Sequence, residues 1–265
     1  MHAKPNSNDI ATGARSRLYL LYHEVRTGGS EYSYVTDTTM FERHIALVAA
    51  LQGDNSSLCP ELTFDDGHIS NLQVAAPILQ QHHIAARFFI TAGWTGKRPG
   101  FMGWQDLHAL LSAGHSIGAH GWSHKLLTHC TAAELDRELK TARLTLEDRL
   151  GVPIDTMSLP GGRSNARVLA ACMAAGYSHV FTSEPKAEPW PLGMTVGRFN
   201  VHGDMQPQWL AELLRPGGPV LRGIERQHRI KSLVKSVIGD RLYAKLWALK
   251  NNREVDAADV WETAD

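Results

Sequence analysis

The chain is poor in cysteine: Cys59, Cys130 and Cys172 are its only three, far apart and never in a CxxC pair. That scarcity excludes a disulfide framework and a cysteine-ligated zinc knuckle, and it fits free thiols in a reducing compartment. No run of 18 apolar residues occurs, so no membrane-spanning helix is expected. The opening stretch, MHAKPNSNDIATGARSR, is polar and lacks the apolar core of a secretory leader, which makes a cytoplasmic location the expectation. Net charge is lacking too. With 27 Lys+Arg against 27 Asp+Glu, the overall balance gives no reason to expect nucleic acid as a partner. What remains is an ordinary globular composition, 43% hydrophobic and 20% charged over 265 residues. That length suits one α/β domain of barrel size or two small domains.

Short apolar runs alternate with helical patterns along the chain. LYLLYHEV (18–25) reads as a buried strand, and residues 38–51 as a helix with Phe41, Ile45, Val48 and Leu51 on one face. ELTF (61–64) is a strand, followed by a helix through NLQVAAPILQQHH. ARFFIT, HSIGAH, DTMSLP, YSHVFTS and TVGRFNVH read as further strands, with helices over 104–114, 131–151 and 166–176 between them. Thr131 with Glu134 three residues on forms a capping box, and Gly151 marks the helix end. This alternation implies parallel strands joined by helical crossovers. In such folds, reactive side chains gather in loops at the carboxyl ends of the strands. Asp65 and Asp66, His120, Gly161 and His202 each follow a predicted strand, so they are expected on one rim.

The candidate chemistry begins with HGWSH, where His120 and His124 stand at i and i+4. On a helix or its first turn, that spacing points both imidazoles one way, as two metal ligands require. Alone the pair is weak, because 14 histidines in this length give roughly 0.7 such pairs by chance. DDG alone is equally a strand-to-loop turn. Together the two stretches say more. Two histidines and one Asp, with positions left open for water and substrate, are how catalytic zinc is held. One of Asp65 and Asp66 can complete that set, while the other faces the water as a base. Gly67 lets the chain turn sharply there. His23 in YHEV either lines the pocket or is a buried structural histidine.

LTFDDG, HGWSH and LPGG, in this order and spacing, resemble the polysaccharide deacetylases of carbohydrate esterase family 4. YHEV, AARFFIT, GHSIGAHGWSHKLL and AAGYSHVFTS extend the resemblance over about residues 18–203. It implies a distorted (β/α) barrel of about seven parallel strands and metal-dependent removal of an acyl group, usually N-acetyl, from a sugar. Carried over by motif, Asp65 is the general base, and Asp66, His120 and His124 hold a divalent metal, zinc first, with cobalt or nickel as alternatives. Many members read arginine-x-proline-tyrosine in the third motif. Here the stretch is SLPGG, which puts Ser158 at the arginine place and Gly161 at the tyrosine place, with the Gly161 N–H as oxyanion donor. Arg163 or Arg198 is then the candidate source of the missing guanidinium. His202 in FNVH is the candidate general acid, and His23, Pro160 and Arg198 are candidate substrate contacts. Gly121 stands where many members carry serine or threonine, so a loop hydrogen bond is expected to be lost. No aspartate–tryptophan motif follows HVFTSEP.

The expected function is therefore hydrolysis of the N-acetyl group from an amino-sugar residue of a polysaccharide or glycan precursor. Alternatives are a non-sugar amide, a formyl or O-acetyl substrate on the same metal site, or a catalytically dead glycan-binding relative. Retention of both Asp65 and Asp66 speaks against the last.

Charge is segregated along the chain despite the balanced total. Residues 222–253 hold nine Lys or Arg against Glu225 and Asp240, a net charge of +7. Ile230, Leu233, Val234, Val237 and Ile238 follow helical spacing there, and Leu242, Leu246, Trp247 and Leu249 continue the apolar pattern. The division expected is a polar tail over 1–17, a catalytic domain over 18–221 and a basic amphipathic extension over 222–265 ending in a frayed acidic tail. The extension either packs on the barrel with a solvated basic face or touches an anionic membrane surface through 222–250. In the second case the protein sits at the inner membrane face, and a lipid-linked glycan becomes the expected substrate.

Overall fold

A computed structural model describes residues 15–238 apart from 29, 31 and 53–56. In chain order the strands are β1 (Ser16–Tyr22), β2 (Glu24–Arg26), β3 (Val35–Asp37), β4 (Leu58–Phe64), β5 (Ala86–Ile90), β6 (Ser116–Ala119), β7 (Thr156–Ser158), β8 (His179–Phe181), β9 (Glu188–Pro189), β10 (Thr195–Val196) and β11 (Arg198–Asn200). Eight of them form one path, β10-β8-β7-β6-β5-β4-β1-β11, with every neighbouring pair parallel. Only Gly197 separates the two ends of that path in sequence, so the sheet curls into a nearly closed barrel. β9 pairs antiparallel with β1, and β2 and β3 form a separate two-stranded sheet.

Helices fill the connections: α1 (Thr38–Gln52), α2 (Ala76–Gln81), α3 (Trp104–Ser112), α4 (Ala132–Asp136), α5 (Ala142–Leu150), α6 (Ala166–Ala174), α7 (Pro207–Leu213) and α8 (Pro219–Ile238). Two π-turns interrupt this pattern, at Asn71–Ala75 before α2 and at Arg137–Thr141 between α4 and α5. Thr131 caps α4 with Glu134 in a reciprocal box, and Gly151 ends α5 at φ 68°, as their sequence positions predict.

The alternation within each strand sorts two cores. Leu18, Leu20, Tyr22, Phe64 and Phe88 belong to the large apolar layer between strands and helices. Tyr19, Phe89, Phe181 and Val196 form a small cluster within the ring of strands. Adjacent residues such as Phe88 and Phe89 therefore serve opposite faces.

Two predicted strands break where the site begins. LYLLYHEV divides at His23, which lies between β1 and β2. TVGRFNVH divides at Gly197, where a Cβ would lie 2.4 Å from the Glu184 carbonyl oxygen. At the other end, α8 carries the chain across the expected boundary at 221. Leu221 is buried, Ile224 packs on the core, and Glu225 Oε1 accepts the Ala187 N–H at 3.0 Å. Beyond that anchor, Ile230 and Leu233 are 53% and 60% exposed. Residues 1–14, the apolar pattern from Leu242 to Leu249 and the acidic tail lie outside the described residues. No helix among the described residues is long and apolar enough to cross a membrane.

Candidate active site

The ends of β4 and β6 turn abruptly, and the backbone there is unusual. Asp66 follows β4 with φ 73°, and Gly67 continues the turn at φ 86°. After β6, Gly121 has φ 78° and His124 φ 64°. Asp and His are among the side chains that enter this left-handed region most readily, at a cost of about 1–2 kcal/mol each. Two of the three proposed ligands thus occupy strained backbone, and in both loops a glycine stands within three residues.

Those turns bring three ligand atoms together. Asp66 Oδ1 lies 3.3 Å from His120 Nε2 and 3.3 Å from His124 Nε2. All three donor atoms fall within 4.8 Å of one another. Ligands tetrahedral about one zinc, each about 2.0–2.1 Å from it, stand about 3.3–3.4 Å apart, so the separations fit a single cation. Asp66 Oδ1 is buried and accepts no hydrogen bond, which leaves its lone pairs facing the same point. His120 Nδ1 contacts the Ser158 carbonyl oxygen at 2.9 Å. A carbonyl only accepts, so Nδ1 carries the hydrogen and Nε2 is left as a ligand atom. Burial alone would raise the Asp66 carboxyl, but His124 and His120 hold it well below its ordinary value. The three residues form a possible metal site.

Asp65 has other partners. Arg198 donates from its two terminal nitrogens to Oδ1 and Oδ2 at 2.7 and 2.8 Å, a two-pronged ion pair. Ser158 Oγ donates to Oδ2 at 2.8 Å and accepts from Arg198 at 2.7 Å. Arg198 Nε donates to the Thr182 carbonyl at 3.2 Å, and the guanidinium packs over Phe89 and Phe181 at 5.3 and 5.9 Å. Burial would raise the Asp65 carboxyl, yet Arg198 and His120 keep it below the ordinary range. Arg198 is completely buried. It holds Asp65 and lies outside the cavity wall, which corrects its expected part as a substrate contact. It takes up the position left by Ser158, whose small side chain makes room for a guanidinium arriving from β11.

The loss expected at Gly121 is also made good. Glu138, on the π-turn Arg137–Thr141, accepts the Trp122 and Ser123 N–H groups, each at 2.8 Å, and the Ser123 hydroxyl. A Cβ on Gly121 would sit 3.1 Å from that carboxyl. The HGWSH loop is therefore tied from below by a buried acid.

A cavity of about 1130 Å³ opens over these groups, with Asp65, Asp66, His120, His124, His23 and Gly161 in its wall. Gly161 has φ 64°, and a Cβ there would lie 2.6 Å from Leu126 Cδ2, so this backbone suits glycine. Pro160 is buried and outside the wall. His202 is also outside the wall and contacts Tyr34, ring centres 5.5 Å apart. His23 lies on the other contact of Tyr34, at 4.7 Å, and its Nδ1 is buried without a partner. Burial holds the His23 imidazole below its usual value despite Asp66 and Asp65 nearby.

Residues 53–180 match the sequence profile of the polysaccharide deacetylase family. The chain is similar to this family over that stretch, just under half of its length. The Bacillus subtilis protein YxkH is 24% identical over 66% of this chain and 67% of its own. Chitin deacetylase 1 of Cryptococcus neoformans is 31% identical over 46% of this chain and 26% of that protein. The match thus spans about a quarter of the length of that fungal relative. A Streptococcus pyogenes deacetylase, PplD, solved with acetate, shares the fold at TM-score 0.69 with 18% identity over 77% of this chain and all of that one.

Sequence reasoning missed several residues of the cavity wall: Tyr32, Tyr34, Trp94, Ser123 and Asn200. Asn200 stood two residues from the end of the predicted TVGRFNVH strand, and its Oδ1 is buried without a partner. Strand alternation could have found it, had the break at Gly197 been visible. Glu138 gave no signal, since it lies mid-helix in an ordinary amphipathic pattern.

Proposed function

We propose that the protein is a metal-dependent de-N-acetylase acting on an amino-sugar residue of a glycan. The observation carrying this reading is the division of labour between neighbouring carboxylates: Asp65 clamped by Arg198 and Ser158, Asp66 with its buried Oδ1 3.3 Å from each of two imidazole nitrogens. A divalent metal held by Asp66, His120 and His124 would polarise the acyl carbonyl and acidify a water. Asp65, kept ionised and fixed in orientation, accepts the proton of the attacking water. The Gly161 N–H donates to the carbonyl oxygen as negative charge develops there. The Asn200 and His23 side chains offer unpartnered polar atoms to the substrate, and His23 rather than His202 is the histidine in the wall that can protonate the leaving amine. Zinc is the metal we favour, on the strength of the N,N,O donor set.

The test is acetate release from a panel of acetylated amino-sugar oligomers, with zinc and with a chelator. Asp65→Asn is expected to abolish release while still binding zinc, and His120→Ala to lose both. Full acetate release by Asp65→Asn, or release unaffected by chelation, would overturn the reading.

We also propose that the protein works at the inner membrane face, anchored through α8 to an anionic lipid surface. Ile230 and Leu233 stand exposed beside Arg226, Arg229 and Lys231, which supports an apolar face flanked by cations. Because Ile224 and Glu225 pack on the body, a chain ending at Arg229 keeps the anchor. That chain should lose co-sedimentation with phosphatidylglycerol vesicles, whereas equal binding by both chains would remove the idea.

A further inference from the structure

Among the described residues, three buried side-chain polar atoms in the cavity wall have no hydrogen-bond partner: Asp66 Oδ1, His23 Nδ1 and Asn200 Oδ1. An unpaired buried atom costs stability, so each calls for a reason. Asp66 Oδ1 has one, since it stands 3.3 Å from His120 Nε2 and from His124 Nε2. His23 has one in the proposed reaction, as the histidine beside the leaving amine. Asn200 has none so far. Its carboxamide does not titrate, so it has no proton to exchange with a substrate and only hydrogen bonds to offer.

The backbone fixes where that carboxamide sits. Asn200 ends β11 opposite Leu21 of β1, and the next residue, Val201, donates its N–H to the Leu21 carbonyl at 2.9 Å. Strand alternation puts the Asn200 side chain on the face of Arg198, which points into the barrel to hold Asp65. Its register partner Leu21 lies in the wall with it. Along β6-β5-β4-β1-β11, Asn200 stands four steps from the strand that delivers His120, half-way round a nearly closed path of eight strands. Asp66, His120 and His124 follow β4 and β6, and Gly161 follows β7, so the acyl carbonyl is addressed from that arc. The acyl nitrogen is left toward β1 and β11, where His23 and Asn200 stand.

We propose that Asn200 selects acyl amides over acyl esters, its Oδ1 accepting a hydrogen bond from the N–H of the scissile amide. This rests on the deacetylase reading for the orientation of the acyl group, but the selection can be measured as binding alone. A bound amide gives the buried acceptor its donor. An ester instead sets an oxygen lone pair against Oδ1 and leaves that acceptor unpaired beneath the ligand. One side chain thus separates N-acyl from O-acyl sugars, at some cost in stability to the free protein.

The experiment is calorimetric titration of the full chain with tri-N-acetylchitotriose and with cellotriose acetylated at the matching 2-hydroxyls. The two ligands differ only in N–H against O, and a chelator keeps both from being hydrolysed during the titration. The amide should bind about tenfold more tightly than the ester, the worth of one hydrogen bond to a buried acceptor. Asn200→Leu, close in size but without an acceptor, should abolish the preference, mainly by weakening amide binding. Its urea midpoint should equal or exceed that of the parent, because an unpaired buried oxygen is gone. A lower midpoint, equal affinity of the parent for the two ligands, or a preference kept by Asn200→Leu would overturn the proposal. Acetate release from the panel of acetylated amino-sugar oligomers, with zinc, is measured in parallel. Release without an amide preference sinks this inference and leaves the deacetylase reading standing; an amide preference lost in Asn200→Leu, without release from any oligomer, does the reverse.

Discussion

At the scale of single residues, the arrangement turns on one exchange. Ser158 stands where the motif resemblance leads one to expect arginine, and Arg198 meets the same carboxylate from a strand that pairs on the opposite side of β1. The sequence narrowed the source of the guanidinium to Arg163 or Arg198 but had no means of choosing, since the contact joins residues 133 apart. Burial decides: a guanidinium fully enclosed with Asp65 must pair with it, because either charge alone would be left uncompensated. Arg198→Met should therefore destabilise the metal-free protein by about 3–5 kcal/mol in urea unfolding. It should also lower turnover about a hundredfold, the penalty of a base displaced by an ångström. Ser158→Arg alone should be nearly as damaging, because two guanidinium groups cannot share the space. Ser158→Arg combined with Arg198→Ser should recover part of both losses. If the double variant is no better than the worse single one, the two positions do not exchange this role.

At the scale of elements, the ligand loop depends on a local defect in a helix. The pattern over 131–151 was legible as one helix with a clear cap and stop, and that reading survives at both ends. What sequence periodicity hides is the π-turn Arg137–Thr141, where Glu138 is presented inward and buried to 3% exposure. Glu138→Ala should weaken zinc binding about 10–100-fold in a competition titration, since it frees the loop between His120 and His124. Glu138→Gln should fall between, because one amide oxygen can still accept the two N–H groups. Unchanged zinc affinity in the alanine variant would show that the loop holds its shape unaided.

A second element-scale link is His44 on α1, buried between the Tyr22 hydroxyl at 3.2 Å and the Met205 carbonyl at 2.9 Å. The carbonyl takes the Nε2 hydrogen, and Nδ1 accepts from the hydroxyl, so the ring is neutral. Burial depresses its pKa. Below the unfolded value of about 6.5 the unfolded chain then binds the extra proton, so the stability this group contributes is present above that pH and is lost as pH falls through it. His44→Gln keeps a donor and an acceptor without titrating. Its urea midpoint should fall less than that of the parent between pH 7.5 and 5.5. Parallel declines would remove His44 as the cause.

At the scale of the molecule, the site exists because the barrel nearly closes. The positions of most barrel strands and helices followed from hydrophobic period, though those of β3, β9 and α7 did not, and the shared rim followed from their order, because both are local or topological properties. The breaks were not legible. LYLLYHEV and TVGRFNVH look continuous, and only the closed sheet shows why each must part, His23 leaving the barrel for the rim and Gly197 passing the chain from one end of the strand path to the other. Gly197 is the tightest point of that passage. Its N–H donates to the Glu188 carboxyl, and an added Cβ would meet backbone at 2.4 Å. The next residue is Arg198. Closure of the barrel and orientation of the base are therefore one mechanical problem, and Gly197→Ala should disturb both. The expected cost is about 1–3 kcal/mol of stability from overpacking, with a fall in turnover at temperatures where the protein remains folded. Zinc affinity should hold, because Asp66, His120 and His124 come from β4 and β6 on the intact part of the sheet. A variant that lost zinc and turnover together would mean that the whole rim shifts as a unit. Lost turnover with retained zinc would place the defect at the Arg198–Asp65 pair, as the geometry at Gly197 requires.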